Sequence, residues 1–477
     1  MDKIIGRRDE IAELEELYSN GRSEFVVLYG RRRVGKTFLI NEIFKDRFTF
    51  THTALSPVEI KGKELMKMQL RHFCHSLIRH GAKIKEEPTN WLDAFFILER
   101  FLETKSDGRR MVIFIDELPW LDTPRSSFIT AFEGFWNGWG AKRDDVMLIV
   151  CGSAVSWISD KLLGSKGGLY NRTTSEIKLK PFSLSESEEF YRSRQVMLDR
   201  YDILQSYMIF GGVPYYLNLV NRAGSLAQNV DRLIFNRKGK LTDEFDRLFS
   251  SMFTNPDEAI KVIKALSGKR IGYTREELLK ITGITDGGGF TKLLKSLEES
   301  DFIKRFRYFG EKMKGARYRL VDNYCLFYLN YLYKKDTDDH EFWQHNQHSP
   351  SVNAWRGFAY ENVCSSHIRE IKHALGISGV HTETYSWKGK ESQIDLVIDR
   401  DDRLINLCEC KYTVQEFTID KEYDSKLRSR QADFIVETGT KKSTIMTFVT
   451  PFGLRRNEYS GRIPSVITSD DLFMRIR

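Results

Sequence analysis

Tyr29-Gly30-Arg31-Arg32-Arg33-Val34-Gly35-Lys36-Thr37 follows the apolar run Phe25-Val26-Val27-Leu28 and precedes Phe38-Leu39-Ile40. The order is strand, glycine-bounded loop, helix, the setting in which Gly-x4-Gly-Lys-Thr forms a phosphate-binding P-loop. Backbone N–H groups from Gly30 through Arg31, Arg32, Arg33, Val34 and Gly35 would point at the phosphates, together with the free N-terminus of the next helix. Lys36 is expected to reach the β and γ oxygens and Thr37 to ligate magnesium.

Working outward, the 477 residues are too many for one core, so two to four domains are expected. Apolar residues make up 41%, and no apolar run approaches the roughly 20 residues of a membrane span. A soluble chain with no membrane partner is expected. Met1 to Arg8 contains no apolar signal core, which points to the cytoplasm. Of six cysteines only Cys408 and Cys410 are close. Two apart on a strand, they share a face and suit a core better than a bridge. The net charge of +8 permits contact with a polyanion without establishing it.

Upstream, Ile11, Leu14 and Leu17 recur at helical spacing. Their lead-in, Ile5 to Glu10, lies where many P-loop ATPases contact adenine. Downstream, residues 48–55 read as a second strand, and 59–105 as helical, with Trp91, Leu92, Phe95, Phe96 and Leu98 as an apolar face. The buried run Met111 to Ile115 ends in Asp116-Glu117, an arrangement of the Walker B kind. Asp116 would hold the magnesium shell and Glu117 would polarise the attacking water.

The strand Val146 to Val150 leads to Cys151-Gly152-Ser153, where Ser153 either senses the γ-phosphate or caps the following helix. Residues 164–176 form a glycine-rich loop bearing Arg172. That arginine either stabilises γ-phosphate charge, within one subunit or across a homo-oligomer interface, or pairs with a surface carboxylate. Five strands alternating with helices predict a parallel α/β sheet with nucleotide at the strands' carboxyl ends. The helical region from 183, punctuated at Gly211-Gly212-Val213-Pro214, would be a lid over the nucleotide.

Tyr29 to Thr37, Gly6-Arg7-Arg8-Asp9-Glu10, Ile115-Asp116-Glu117, Gly152-Ser153, Leu169-Tyr170-Asn171-Arg172 and Gly211 to Pro214 together resemble the archaeal-type ATPases of prokaryotes. These are relatives of the AAA+ and STAND nucleotide switches, commonly fused to a winged helix and a nuclease-like domain. The resemblance implies ATP and Mg2+ as ligands. One departure is Asn171, where the Leu-Tyr-Gly-Arg element carries glycine.

From Asn255 the pattern changes to short helices. Thr274 and Glu277 make a capping box, Gly283 breaks the helix, and Phe290, Leu293, Leu294 and Leu297 give another stripe. Residues 302–308 and 316–320 read as two strands of a wing. Lys304, Arg305, Arg307, Lys312, Lys314, Arg317 and Arg319 there outnumber Asp301 and Glu311, a patch suited to DNA phosphates. The recognition helix offers Lys292 and Lys295 but few base-reading side chains, so protein docking stands as its other use.

Residues 334–352 read as a polar linker, and His340, His345 and His348 match no ligand spacing. Beyond it, Asp395 lies on one strand, and Glu409 and Lys411 share a face of the next. Two carboxylates could hold a divalent ion, Mg2+ or Mn2+, with Lys411 orienting the nucleophile. The arrangement resembles the PD-(D/E)xK nuclease core, and Glu361 and Gln393 match its accessory positions.

The expected organisation is an ATPase core over 1–182, a helical lid over 183–252, a winged helix over 253–333, a linker over 334–352 and an α/β restriction-endonuclease-like domain over 353–477. The expected function is ATP hydrolysis coupled to DNA binding and metal-dependent cleavage. The rival is an ATP-dependent switch whose nuclease-like domain binds DNA or protein without cutting.

Overall fold

The computed structural model describes residues 4–57, 63–164, 169, 171–311, 315–333 and 339–476. They fall into two compact units, Met1–Lys180 with Ser250–Thr254, and Pro181–Phe249 with Asn255–Arg477.

The first unit is built on β1 (Glu24–Tyr29), β2 (Phe48–Thr53), β3 (Met111–Asp116), β4 (Val146–Gly152) and β5 (Ser175–Lys178). The spatial order is β2-β3-β4-β1-β5, with every pair parallel. Strands in the middle of a parallel sheet are covered on both faces, which is why β3 and β4 are buried throughout and read as continuous apolar runs. Alternation then divides the core. Val26 and Leu28 pack with Leu39 and Ile40 of the helix Lys36–Phe44, whereas Phe25 and Val27 join an aromatic cluster with Trp91, Phe95, Phe132 and Trp136.

The helical stretch expected over 59–105 is two helices, Lys63–Arg79 and Trp91–Glu103, and residues 59–62 lie outside the described residues. The second begins at Asn90, whose side chain accepts from the Asp93 N–H. Its apolar face is narrower than expected. Trp91, Phe95 and Leu98 are buried, but Leu92 is 65% and Phe96 60% exposed. A period of 3.6 aligns 91, 95 and 98 on one stripe and carries 92 and 96 about 100° around the helix.

In the second unit, the helices over 184–249 pack with the helix Asn323–Tyr331. Asn323 Nδ2 donates to the Tyr207 carbonyl at 2.9 Å, and the Tyr324 hydroxyl donates to that of Leu241 at 2.7 Å. The segment expected as a nucleotide lid is thus anchored within this unit. Its Gly212 has φ 67°, and a Cβ there would stand 2.3 Å from the Phe182 carbonyl oxygen, so no side chain fits.

Next come the helix Pro256–Ser267, β6 (Tyr273–Thr274), the helices Arg275–Thr282 and Gly288–Glu299, β7 (Ile303–Phe306) and β8 (Arg317–Leu320). The strands form an antiparallel sheet in the order β6-β8-β7. The expected capping box at Thr274 and Glu277 is formed, and Gly283 ends that helix at φ 66°. Lys312 and Lys314 lie outside the described residues.

Residues 334–338 of the expected linker also lie outside them; in the remainder His340, Glu341, His345 and His348 are exposed, and Trp343 and Val352 are buried. Trp343 is buried against Phe327, Tyr331 and Trp355. His345 meets Asp339, and His340 bonds the Phe235 carbonyl.

The helix Pro350–Ser366 leads to β9 (Thr382–Lys388), β10 (Gln393–Arg400) and β11 (Leu404–Cys410), an antiparallel meander. The helix Lys421–Thr438 then crosses to β12 (Ser443–Val449) and β13 (Ser465–Ile467), which run parallel to β11. The sheet order is β13-β12-β11-β10-β9. Both faces of β11 are covered, burying Cys408 and Cys410 as expected. Among the described residues, no helix is long and apolar enough to cross a membrane.

Candidate functional site

At the carboxyl end of β1 the loop turns through positive φ at Gly30 (143°), Arg33 (75°) and Gly35 (93°). Gly30 is constrained further, since a Cβ there would lie 2.3 Å from the Leu179 carbonyl oxygen. The Lys36 ammonium is buried and donates to the carbonyls of Gly30 at 2.9 Å and Arg31 at 3.1 Å. Those oxygens occupy the role that phosphate oxygens would take. Thr37 opens the helix from an exposed position, and its hydroxyl donates to Asp116 Oδ2 at 2.8 Å. A hydroxyl and a carboxylate this close are a hard-oxygen pair that fits Mg2+. With nucleotide bound, that ion would neutralise charge on the phosphates.

Glu117 follows directly, at φ 49°. Ser153 holds its carboxylate, with the backbone N–H donating to Oε2 at 3.1 Å and the hydroxyl within 3.0 and 3.1 Å of the two oxygens. Burial raises the Glu117 pKa most, and Asp116 adds to this, while Lys36 and the Ser153 bonds oppose it. Such a carboxyl is a better proton acceptor than an exposed one. The strand tip that delivers Ser153 must be glycine before it, because a Cβ on Gly152 would meet Pro119 at 2.7 Å.

Arg172 lies on an exposed turn ahead of β5, with Asn171 beside it at φ 55°. Asparagine is among the residues that tolerate the left-handed region best, which accounts for its replacing glycine there. Sequence reasoning placed Arg7 in the lead-in near adenine but gave it no contact with the P-loop. Buried and at φ 55°, it donates from Nη2 to the Val34 carbonyl of the P-loop at 3.3 Å. The lead-in therefore touches the phosphate loop itself.

In the second unit Glu361, Asp395 and Glu409 interact electrostatically as one group. Burial, then the charge of Asp395, pushes Glu361 up to about 8. Burial, then Glu409, pushes Asp395 up to about 6, and Gln393, donating to its Oδ1 at 3.2 Å, opposes this. Like charges crowded in a low dielectric resist ionising together. Lys411 is exposed, with its ammonium 5.9 Å from the Tyr423 ring centre.

Glu409 is already engaged, accepting from Arg430 Nη1 at 2.6 Å and from the Tyr423 hydroxyl at 2.7 Å. Among the described residues no three His, Cys, Asp or Glu side chains stand so that they could hold a metal ion. The carboxylate chemistry suits a divalent cation, but the present arrangement does not fit one. Arg430 and Tyr423 lay on the helix after the motif, where sequence offered no signal for them.

The wing cations are also committed differently from expectation. Arg317 pairs with Glu277 at 3.2 Å, Arg305 approaches Glu298 at 4.0 Å, and Arg307 lies 5.4 Å from the Tyr385 ring centre. Lys304 and Arg319 line a cavity of about 140 Å3 with Glu361 and Asp395. Much of the charge expected to face DNA is used within the unit.

Comparison with known proteins matches residues 4–220 to an ATPase domain found predominantly in Archaea, and 324–423 to a family described as archaeal and bacterial proteins of unknown function. An uncharacterised protein of Methanocaldococcus jannaschii is 26% identical over 397 residues, 83% of this chain and 84% of that one. Among solved structures, a Walker-type ATPase of Pyrococcus abyssi is similar at 19% identity over 68% of this chain and 96% of that chain, with a TM-score of 0.47. An ORC2 protein of Aeropyrum pernix, in ADPNP and ADP complexes, is similar at 13% identity over 69% and 93%, with a TM-score of 0.42. The match over residues 4–220, together with the P-loop geometry, supports an ATPase, and the protein is an ATPase.

Proposed function

We propose that this chain is a magnesium-dependent ATP-hydrolysing switch whose second unit carries a DNA-contacting winged helix and a nuclease-like domain. The observation that carries the hydrolytic half is the 2.8 Å bond from Thr37 to Asp116, with Glu117 next in the chain and gripped by Ser153. Thr37 and Asp116 would hold the ion. Lys36 would exchange its loop carbonyls for β and γ oxygens, and Ser153 would orient Glu117 to accept the proton of the attacking water. Arg172, exposed on its turn, would complete the charge around the γ-phosphate, including across an oligomer interface. The test is ATP turnover in Lys36→Ala, which should fall to background; a surviving rate sinks this assignment.

For the second unit, the order of β6, two helices, β7 and β8 supports the winged-helix reading. A helix bearing Glu361, a strand bearing Asp395 and a strand ending in Glu409-Cys410, with Lys411 next in the chain, support the nuclease-like one. The engagement of Glu409 by Arg430 favours a resting state that does not cut. Plasmid and single-stranded DNA incubated with Mg2+ or Mn2+, in each nucleotide state, separates the two outcomes. Cleavage lost in Asp395→Ala and Lys411→Ala supports a nuclease. No cleavage in any state leaves a regulatory switch.

A further inference from the structure

Two stretches of the first unit meet beside the candidate base. One is the turn Leu118–Leu121 that follows Glu117, and the other is the tip of β4 with the short helix Val155–Trp157 beyond it. They are joined at successive levels. Ser153 holds the Glu117 carboxylate through its hydroxyl and its N–H. Gly152 lies so close to Pro119 that a Cβ would stand 2.7 Å from the ring. Farther along both stretches, the Trp157 indole Nε1 donates to Asp122 Oδ2 at 2.9 Å.

Glu117 is a non-glycine residue at φ 49°, a conformation that persists only where its surroundings hold it. The turn supplies one tie, from the Trp120 N–H to the Glu117 carbonyl at 2.9 Å, and Gln69 supplies another by donating to the Trp120 carbonyl at 3.0 Å. Ser153 is followed by Ala154 at φ −80° and ψ 77°, outside the helical and strand regions, before the chain turns into helix. A serine on so short a connection is placed by whatever anchors the residues after it. Trp157 is that anchor, half-buried against the same core as Trp91 and Phe128 and bonded to a carboxylate, which strengthens the bond.

We propose that Asp122 and Trp157 form a clasp that positions Ser153, and through it Glu117, for attack by water on the γ-phosphate. Both are positioning residues that act through Ser153 and not on the nucleotide. The clasp rests on the reading of Glu117 as proton acceptor. A misplacement of about 1 Å near a reacting group costs up to about a hundredfold in rate, so one bond at the far end of the segment is enough to register.

The experiment compares wild type with Asp122→Ala, Asp122→Asn, Trp157→Phe and Asp122→Ala/Trp157→Phe in the full chain. It reads steady-state ATP turnover, nucleotide affinity, and hydrogen exchange of the nucleotide-free protein. Asp122→Ala and Trp157→Phe should each lower kcat by about tenfold with nucleotide affinity unchanged. The double variant should be no slower than the worse single, because all three remove the same bond. Asp122→Asn keeps an oxygen acceptor and should recover most of the loss. Without nucleotide, the Ser153 amide should exchange about tenfold faster in both single variants as its hold on Glu117 slackens. A wild-type kcat in Trp157→Phe overturns the proposal whatever the exchange shows. So does a double variant whose losses multiply, or a fall in nucleotide affinity that matches the fall in rate. Should Asp122→Ala fail to fold, Trp157→Phe decides alone. Glu117→Gln, run beside them, separates two failures: a wild-type rate there sinks the proton-acceptor reading and the clasp with it, whereas a slow Glu117→Gln beside wild-type rates in the clasp variants sinks the clasp alone.

Discussion

The two acidic sites of this chain differ in what already surrounds their carboxylates. At the P-loop, Asp116 accepts from Thr37, and Glu117 is held by a serine and a backbone N–H. Its cation, Lys36, rests on carbonyls that cost little to leave. In the second unit, Glu409 is bonded to Arg430, and Arg319 and Arg270 crowd Glu361. Neutral partners leave room for an incoming ion, whereas resident guanidinium groups compete with it. The first site has the partners that a magnesium ion and nucleotide could replace, and the second has carboxylates already met by cations.

The largest effect that would break this contrast is at Glu117. Glu117→Gln should lower the ATPase kcat by about a hundredfold or more while nucleotide binding persists, because only proton acceptance is lost. Steady-state turnover beside a fluorescent-nucleotide titration checks both halves. A rate near wild type would leave Glu117 as an ordinary turn residue.

Next is Arg430→Ala, which strips a buried carboxylate of its cationic partner and leaves it the Tyr423 hydroxyl. It should destabilise the second unit by about 3 kcal/mol in chemical denaturation. A change below about 1 kcal/mol would show that Glu409 is less dependent on its arginine than the 2.6 Å contact suggests.

A pH series sharpens the first unit. His52 is buried, bonded to Ser76, and held down to about 3 by burial, with His72 and Arg79 adding to the effect. The unfolded chain takes up a proton near pH 6.5 that the folded chain refuses, so stability is full above that value and falls with acid below it. The slope is about 1.4 kcal/mol per pH unit until pH approaches 3. Melting at pH 7.5 and 5.5 should show a smaller loss in His52→Asn than in wild type; equal losses would place the acid sensitivity elsewhere.

The smallest expected effect is at Arg7. Arg7→Ala should weaken nucleotide binding several-fold, about 1 kcal/mol for one hydrogen bond to the P-loop, with kcat little altered. Arg7→Lys should recover part of it. A fall in kcat alone would mean that Arg7 acts on chemistry and not on the loop.

Local signals were the legible part of this chain. Gly30 and Gly35 announced a turn needing positive φ, and the all-apolar β3 and β4 announced central parallel strands, since both constraints act within a few residues. The capping box at Thr274 was equally readable. Leu92 and Phe96 were misread because apolarity alone does not say which side of a helix meets the sheet. What sequence alone could mark was the candidate nucleotide site, because its glycine loop, lysine and hydroxyl come from one loop and helix, with Asp116-Glu117 closing a strand. Only the tertiary structure decided the partners of the second acid cluster. Arg319, Arg270 and Arg430 reach it from distant segments, and a charge count along the chain carries no information about which anion each cation will face. Electrostatic pairing is a property of distance in space, and the fold sets that distance.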